Sequence, residues 1–323
     1  KIVPFFRTLE VKIIWLYHYS RGGWKMKMKI LNRRTKGEAI FDTTNVVVMI
    51  IICFLTIYPI WYVLVNSLND GMDAMSGGIY WWPRKFSILN YQSVLQNAGI
   101  MQALQVTVLK TIIGTAVHVF FTAMVAYSLS KSELIGRKLY MTIGIITMFF
   151  SGGLIPTFLL IRNLGMLDKF IVYIIPVAFS MFDLIIFISF FKTIPSSLEE
   201  AARIDGANDF YIFLKIIIPL SMPVIATIAL FHGVYQWNDY FTGMIYINDS
   251  ALQPIQTYLY KVIAQSGANQ LMQSSSVSIS KSTVTSQSIK FATMVVTTLP
   301  IVCVYPFLQK YFVKGMLLGS VKG

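Results

Sequence analysis

Six apolar runs divide this sequence, and each is close to the ~20 residues that an α-helix needs to cross a bilayer. The chain is therefore predicted to cross a membrane six times and to place both of its ends on the same side. Pro59, Pro300 and Pro306 lie inside the first and last runs, where neighbouring helices can satisfy the carbonyl groups that a proline frees. A break in the first helix is expected at Pro59. The runs are residues 45–66, 103–129, 139–160, 170–191, 216–235 and 291–312.

The composition indicates a membrane protein. Of the 323 residues, 55% are hydrophobic and 13% are charged, whereas a soluble chain carries roughly 25% charged residues. The net charge of +13 could suggest a nucleic-acid partner, but the basic residues are dispersed between the apolar runs, so no nucleic acid is expected. Cys53 and Cys303 lie inside apolar runs without metal-ligand spacing, and we interpret them as packing residues.

The distribution of lysine and arginine predicts the orientation of the chain. If the N-terminal segment is cytoplasmic, the inner segments hold 19 of the 27 basic residues and the outer segments hold seven. Cytoplasmic loops carry such an excess, so both ends and the loop between the fourth and fifth runs are predicted to be cytoplasmic. Residues 1–44 hold ten basic residues and are interpreted either as a helix on the inner leaflet or as a disordered basic tail.

A polar stretch at residues 195–219 interrupts the apolar pattern. Pro195 cannot continue the preceding helix. Ser196 and Ser197 are good N-caps, and each has a glutamate three residues later that could complete a capping box. Gly206 is suited to end the helix. The pattern predicts a short surface helix, a turn and a second helix. This surface helix is either an ordinary connector or an element that docks into a groove of another protein.

Titratable side chains inside the apolar runs are functional candidates, because charge is costly within a bilayer. Asp183 lies in the middle of the fourth run and is predicted to face a translocation pathway, since an unpaired carboxylate facing lipid would be unfavourable. His118 and His232 are interpreted as neutral imidazoles that are hydrogen-bonded between helices. Lys110 lies near the outer end of its run and is expected to extend its ammonium group to the interface.

The fifth run ends with an aromatic, an amide, a carboxylate and a second aromatic residue. Such a mixture can bind a sugar, because aromatic faces stack on C–H surfaces while amides and carboxylates bind hydroxyl groups. Anchoring of the aromatic side chains at the membrane interface is the alternative. The residues are Trp237, Asn238, Asp239 and Tyr240.

Two outer segments carry further signals. Residues 67–102 include the cluster Trp81-Trp82-Pro83, which is typical of an interfacial anchor. Residues 238–290 form the longest outer segment, and its Ser/Thr-rich tract at 274–288 indicates mobility or a surface that faces a soluble binding protein.

The polar stretch resembles the EAA motif of ABC importer permeases, E-A-A-x3-G-x9-I-x-L-P. Glu200-Ala201-Ala202, Gly206, Ile216 and Pro219 match it, and Ile218 replaces the usual leucine. Residues 194–207 are similar to the carbohydrate-uptake branch of this family. So are residues 237–241, which match W-N-[DE]-[FY], and the C-terminal residues 307–323. Tyr58-Pro59 and Asn66-Ser67 are similar to the subgroup for oligosaccharides and polysaccharide fragments, including uronate-containing ones such as alginate.

The resemblance implies an all-α membrane protein with the type I importer permease fold, six transmembrane helices and a cytoplasmic coupling helix. In this division, residues 1–44 form an extension, 45–66 the first helix, 67–102 an external segment, 103–312 the transmembrane core with the coupling helix at 195–207, and 313–323 a cytoplasmic tail. The residues expected to contact the ATPase are Ser197, Glu199, Glu200, Ala201, Ala202, Asp205 and Gly206.

The resemblance also implies partners: a second permease, two ATP-binding subunits and an extracytoplasmic solute-binding protein. The chain is expected to lie in a bacterial cytoplasmic membrane and to have no catalytic residues, metal or cofactor of its own, with ATP and magnesium bound by the partner ATPases. No phosphate-binding glycine loop is found in the sequence, and Gly152-Gly153 is interpreted as a helix break or as a site of close packing.

Two other classes of protein were compared with this interpretation. An ion-coupled secondary sugar transporter would use Asp183 or Asp239 as its coupling carboxylate, but the chain has no internal repeat and carries the coupling motif. A membrane-embedded enzyme would need titratable groups clustered at one depth, and the sequence shows only scattered ones. Co-purification with an ATPase would distinguish these classes.

Overall fold

The computed structural model describes the backbone of residues 36–273 and 285–320 and side chains within 37–264 and 285–303. The chain divides into two compact units, Lys1–Ile57 and Tyr58–Gly323. Two sequence predictions therefore fall largely outside the described residues: the conformation of residues 1–44, of which 1–35 are not described, and the mobility of the tract at 274–288. Described residues of the first unit form an apolar helix whose side chains are mostly exposed.

The described part of the chain is helical. Fourteen α-helices are numbered in chain order, and short 3₁₀ turns occur at Phe170–Tyr173, Ile175–Val177 and Ser250–Leu252. A π-helical stretch, Phe213–Ile217, joins two of the α-helices. The α-helices are α1 (Lys36–Ser67), α2 (Gly71–Met75), α3 (Leu89–Gln96), α4 (Ala98–Ser130), α5 (Arg137–Phe149), α6 (Leu154–Asn163), α7 (Met181–Phe191), α8 (Ser196–Ile204), α9 (Asp209–Ile212), α10 (Ile218–Leu220), α11 (Met222–Asn238), α12 (Phe241–Tyr246), α13 (Ile255–Gln273) and α14 (Ser286–Ser320).

Three of these helices are each long and apolar enough to cross a membrane: α1, α4 and α14. Up to six spans result if each of three bent helix pairs forms one span, which matches the number predicted from the sequence. The expected break at Pro59 is wrong, because α1 continues through this residue. A proline removes only one backbone donor, and helices of membrane proteins tolerate this loss.

Two of the three bent pairs were not predicted from the sequence, and the third was. The break predicted at Gly152-Gly153 is confirmed: α5 and α6 meet there at 118°, and Gly153 has a φ of 82°, which favours glycine. The 3₁₀ turns before α7 meet that helix at 53°. The fifth predicted run, 216–235, becomes a pair of segments, Asp209–Leu220 and Met222–Asn238, that meet at 82°.

Helix α4 lies at the centre of the second unit. It packs against α11 and α7, and it also contacts α3 and α13. The largest apolar cluster of the described residues joins α4, α7, α11 and the stretch around Phe213, with Ala123, Leu184 and Ile228 fully buried in it. A second cluster surrounds Tyr173, and a third joins α3, α4, α13 and α14. Each polar group that α4 carries toward these helices is therefore removed from solvent.

The segment between α1 and α4 is held by backbone and amide hydrogen bonds. Asn69 and Phe86 form an isolated antiparallel bridge, and the Asn90 amide donates to the carbonyl oxygens of Ser67 and Asn69 at 3.0 and 2.8 Å. Trp81 and Trp82 are exposed, as an interfacial anchor requires, and the Trp61 indole donates to the Trp81 carbonyl at 3.0 Å.

A close approach between α4 and α11 generates a stability prediction. A Cβ atom at Gly114 would lie 2.5 Å from Nε2 of the buried Gln236, whereas one at Gly233, in the same interface, would lie 3.6 Å from its nearest neighbour, Thr115 Oγ1. Gly114→Ala is therefore expected to destabilise the protein by about 1–3 kcal/mol, the range typical of overpacking. Thermal unfolding of the detergent-purified protein, followed by fluorescence, measures this change.

Gly233→Ala is the matched control and should leave the melting temperature close to that of the wild type. Equal effects of the two substitutions would contradict the described packing of α4 on α11.

Candidate functional site

The polar segment, residues 195–207, forms the short helix α8 and the turn that follows it. The predicted capping box is wrong: Pro195 is the N-cap residue, and no side chain caps the helix. Glu199 cannot reach back to a serine because its carboxylate is bound elsewhere in the protein. The predicted end is confirmed. Gly206 has a φ of 82°, and the hydrogen bonds Ala207 N–H to Ala202 O and Gly206 N–H to Arg203 O form a Schellman motif.

Helix α8 has two different faces. Glu199 and Ala202 are half-buried, and Ala202 packs against the largest apolar cluster. The opposite face is exposed and contains acidic, small and large apolar residues, including Leu198 and Ile204, which is 87% exposed. A helix with no fully buried residue that nevertheless shows large apolar side chains to solvent is typical of a docking surface. The exposed predicted site residues are Ser197, Glu200, Ala201, Asp205 and Gly206.

Ionic contacts hold both ends of α8. Glu199 Oε2 accepts hydrogen bonds from the Lys131 ammonium, just beyond α4, and from the Tyr127 hydroxyl at 3.3 Å. At the other end, Arg203 Nη2 donates to Asp209 Oδ1 at 2.9 Å. The hydrogen bond to Asp209 raises the pKa of the Arg203 guanidinium, so this group stays charged. The polar segment is therefore bound to the end of α4 and to α9.

A second group of polar residues lies between α4, α7 and α11. We name it the polar cluster and define it as Lys110, His118, Asp183, His232, Gln236 and Asp239. Residues 110, 114 and 118 are four apart on α4 and therefore share one face. Gly114, between Lys110 and His118, leaves room for the Gln236 side chain.

The expectation that Lys110 reaches the interface is wrong. Its side chain is fully buried, and Nζ lies 3.1 Å from Asp239 Oδ2 and 3.0 Å from the Asp239 carbonyl oxygen. The ammonium also lies 4.8 Å from the centre of the Tyr173 ring. Two charges with these contacts satisfy each other inside the bundle, so neither needs to leave it.

The second part of the polar cluster surrounds the two histidines. His118 Nδ1 donates to the Val177 carbonyl at 2.8 Å, and its Nε2 lies 2.9 Å from Asp183 Oδ2. The prediction that His118 is hydrogen-bonded between helices is thus confirmed. Asp183 is paired, which the sequence did not indicate. Nδ1 carries a hydrogen because its partner, a carbonyl oxygen, can only accept. The contact between Nε2 and Oδ2 needs one further hydrogen, which is bound either to the imidazole or to the carboxyl group. The His232 ring stacks on His118 with a centroid distance of 3.7 Å.

The four residues at the end of α11 separate into two pairs. Trp237 is buried, and its indole donates to the Thr297 carbonyl at 3.1 Å, so it packs α11 on α14. Asp239 binds Lys110 and accepts a hydrogen bond from the Thr242 backbone at 3.1 Å. Asn238 and Tyr240 are exposed. Only the latter two present polar groups to solvent, and the Tyr240 ring stacks on that of Tyr260 at 5.2 Å.

Within the part of the chain that the structure describes, no group of three or more histidine, cysteine, aspartate or glutamate residues is arranged to hold a metal ion. The pairs Lys110–Asp239 and His118–Asp183 each join different elements of the bundle. Long apolar helices around internally paired charges, with a solvent-exposed helix inserted between two of the spans, define the class of a membrane permease.

Comparison with known proteins identifies the family. Residues 132–318 match the family described as the binding-protein-dependent transport system inner membrane component, and the chain belongs to it. Members of this family are membrane components of transport systems. The chain is therefore the permease subunit of such a system and is not an enzyme.

Individual relatives cover nearly the whole chain. It is 44% identical to the polygalacturonan/rhamnogalacturonan transport system permease protein YtcP of Bacillus subtilis, over 88% of this chain and 99% of the relative. It is 40% identical to protein LplC of the same organism, over 90% and 97%. A crystal structure of a bacterial ABC transporter involved in the import of the acidic polysaccharide alginate matches with a TM-score of 0.78 and 32% identity. That match covers 86% of this chain and 99% of the other. The type I importer permease fold expected from the sequence is confirmed.

The partners of the titratable residues were not predicted from the sequence. Lys131, Tyr127 and His118 were not connected with Glu199 or Asp183, and Lys110 was not connected with Asp239. The sequence contains one indication of such a contact. Lys131 and Glu199 carry opposite charges, and both follow a predicted span on the side predicted to be cytoplasmic.

The Lys110–Asp239 pair generates a second prediction. Removing one member of a buried ion pair leaves an uncompensated charge and typically costs about 3–5 kcal/mol. Lys110→Met and Asp239→Asn should each lower the melting temperature of the purified protein. The double variant should be more stable than Lys110→Met alone, because asparagine leaves no buried charge and can still accept the hydrogen bond from Thr242.

A double-mutant cycle measured by thermal unfolding tests this coupling. Strictly additive effects of the two substitutions would contradict the described pair.

Proposed function

We propose that this chain is the permease of an ATP-driven importer for uronate-containing oligosaccharides. The main support for the proposal is that the substrates named for its relatives are acidic polysaccharides. The relative at 44% identity is named for polygalacturonan and rhamnogalacturonan, and the matching crystal structure is of an importer of alginate. Galacturonans and alginate are both chains of sugars that carry carboxylates. A permease similar to both is expected to move fragments of an acidic polysaccharide.

The proposed partners follow from the class of transporter. They are a second permease subunit, two ATP-binding subunits that hold ATP and magnesium, and an extracytoplasmic solute-binding protein that delivers the sugar. The excess of lysine and arginine in alternate loops supports a chain with both ends and the polar segment in the cytoplasm. In that orientation an ATPase can reach α8.

Helix α8 is proposed to be the coupling helix that docks in a cleft of an ATP-binding subunit. Its exposed face would provide the contacts: Glu200 as a carboxylate for basic side chains in the cleft, and Ala201 as a small residue that permits close approach. Closure of the two ATP-binding subunits would then move α8 as a rigid body. The helices on either side of the polar segment would carry this motion to the pathway and alternate its access.

The substrate pathway is proposed to run along the exposed ends of α7 and α11. Asn238 and Tyr240 are the best candidates for sugar contacts, because they are exposed and combine an amide with an aromatic face. The Asp183 side chain is 13% exposed at the first turn of α7, which supports a place beside the pathway while it binds His118. Trp237 and Asp239 would support this site from within the bundle.

Uptake by the complete complex in proteoliposomes tests the proposed function. With its binding protein and internal ATP, the complex should import oligogalacturonate or alginate oligomers and should hydrolyse ATP faster when they are present. Neutral oligosaccharides of equal length should be poor substrates. Import driven by a proton gradient without ATP would contradict the proposal.

Two substitutions in the polar segment should abolish this uptake. Glu200→Lys reverses a charge whose hydrogen bond would contribute roughly 1.5–3 kcal/mol to docking. Gly206→Val places a β-branched residue at a φ of 82° and strains the turn. Both variants should reach the membrane at near-normal levels, since neither residue belongs to the apolar core. Glu38→Lys, the same charge change on another exposed glutamate of the predicted cytoplasmic side, is the control. Substrate-stimulated ATP hydrolysis and import by both variants would show that the polar segment is only a connector.

A further inference from the structure

Two adjacent glutamates of α8 have opposite environments. Glu200 is exposed, whereas the Glu199 side chain is 17% exposed and points into the protein. Its carboxylate Oε2 accepts from both the Lys131 ammonium and the Tyr127 hydroxyl, and both of these donors belong to the last turn of α4 or the residue after it. A carboxylate bound in this way cannot also reach a partner protein on the opposite face of the helix.

The Lys131 side chain contacts the Tyr127 ring in addition to the Glu199 carboxylate. Its Nζ lies 4.3 Å from the centre of the Tyr127 ring, close enough for a cation–π contact. Lys131 is the C-cap residue of α4, where a positive charge is favourable near the free carbonyl groups of the helix end. Glu199, Lys131 and Tyr127 thus form a closed set of three mutual contacts.

Tyr127 also joins the chain on both sides of the polar segment. The residue is buried, and its ring packs against Phe191, the last residue of α7, with a centroid distance of 6.5 Å. On its other side it packs against Phe213, just after α9, at 5.5 Å. The ring therefore touches the element that enters the polar segment and the element that leaves it, while its hydroxyl touches α8 itself.

We infer that Glu199 is a positioning residue that ties α8 to α4 through Lys131 and Tyr127, so that motion of α8 reaches α4 directly. This inference rests on the proposed function of α8 as the coupling helix. It assigns the two glutamates different roles: Glu200 faces the ATP-binding subunit, and Glu199 fixes α8 to the helix that carries Lys110 and His118. Motion would then reach the polar cluster by a lateral contact as well as along the chain.

Exchanging the charges of residues 199 and 131 in the reconstituted complex tests this inference. Glu199→Lys and Lys131→Glu each place like charges together, and each should lower the number of sugars imported per ATP hydrolysed by about tenfold, the change expected when a charge-assisted contact is lost. The double variant Glu199→Lys/Lys131→Glu restores opposite charges and should recover most of that ratio. Glu199→Gln, which keeps the shape of the side chain, should show a smaller loss in the same direction.

Co-purification of the ATP-binding subunits separates this inference from the proposed function. The Glu199 and Lys131 variants should retain these subunits at wild-type levels, whereas Glu200→Lys should weaken their retention. A double variant that is no better than the single ones, or a Glu199→Gln complex with wild-type sugar import per ATP, would overturn the inference. Absence of the ATP-binding subunits from the wild-type complex would instead contradict the proposed function.

Discussion

Partnering of charged side chains between membrane-spanning helices is the constraint on which the rest of this structure depends. An unpaired charge inside such a bundle is costly, so the titratable side chains that α4 buries need partners from other elements. Lys110 binds Asp239 after α11, His118 binds Asp183 on α7, and Lys131 binds Glu199 on α8. Every one of these pairs joins elements that are far apart in sequence. Together they fix α4 as the helix around which α7, α8 and α11 are arranged.

The same arrangement suggests how a subunit without a catalytic site can take part in ATP-driven transport. Its family consists of membrane components of transport systems, and in the proposed function the energy arrives from separate ATP-binding subunits. The polar segment has an exposed face, which is the one proposed to contact these subunits, and an inward face that contacts α4. Tyr127 binds Glu199 on α8 and packs against Phe191 and Phe213, so one side chain of α4 contacts α8 and the elements on both sides of the polar segment. If α8 is the docking helix, these contacts would make α4 and the helices beside the polar segment move together with it.

Elements of the fold with a local cause were predictable from the sequence. The apolar runs predicted the number of possible spans. Gly206 predicted the end of α8, and Gly152-Gly153 predicted a break between helices. The motif around Glu200 indicated the family. Features that depend on distant contacts were not predictable. Lys110 was expected at the interface because its position along the run is visible in the sequence, whereas its partner Asp239 is 129 residues away. The prediction of a capping box was also wrong because of a distant contact: Glu199 binds Lys131 and Tyr127 at the end of α4.

The distance between α8 and the end of α4 during the ATP cycle tests the central claim most directly. Spin labels at the exposed residues Ser196 and Ser128, introduced by cysteine in a cysteine-free chain, report this distance by pulsed electron resonance in the reconstituted complex. The account predicts one narrow distance that is the same without nucleotide and with ATP trapped, because the two elements move together. In Glu199→Gln the distribution should broaden. A wild-type distance that changes between the two states as α8 moves past a stationary α4 would contradict the account.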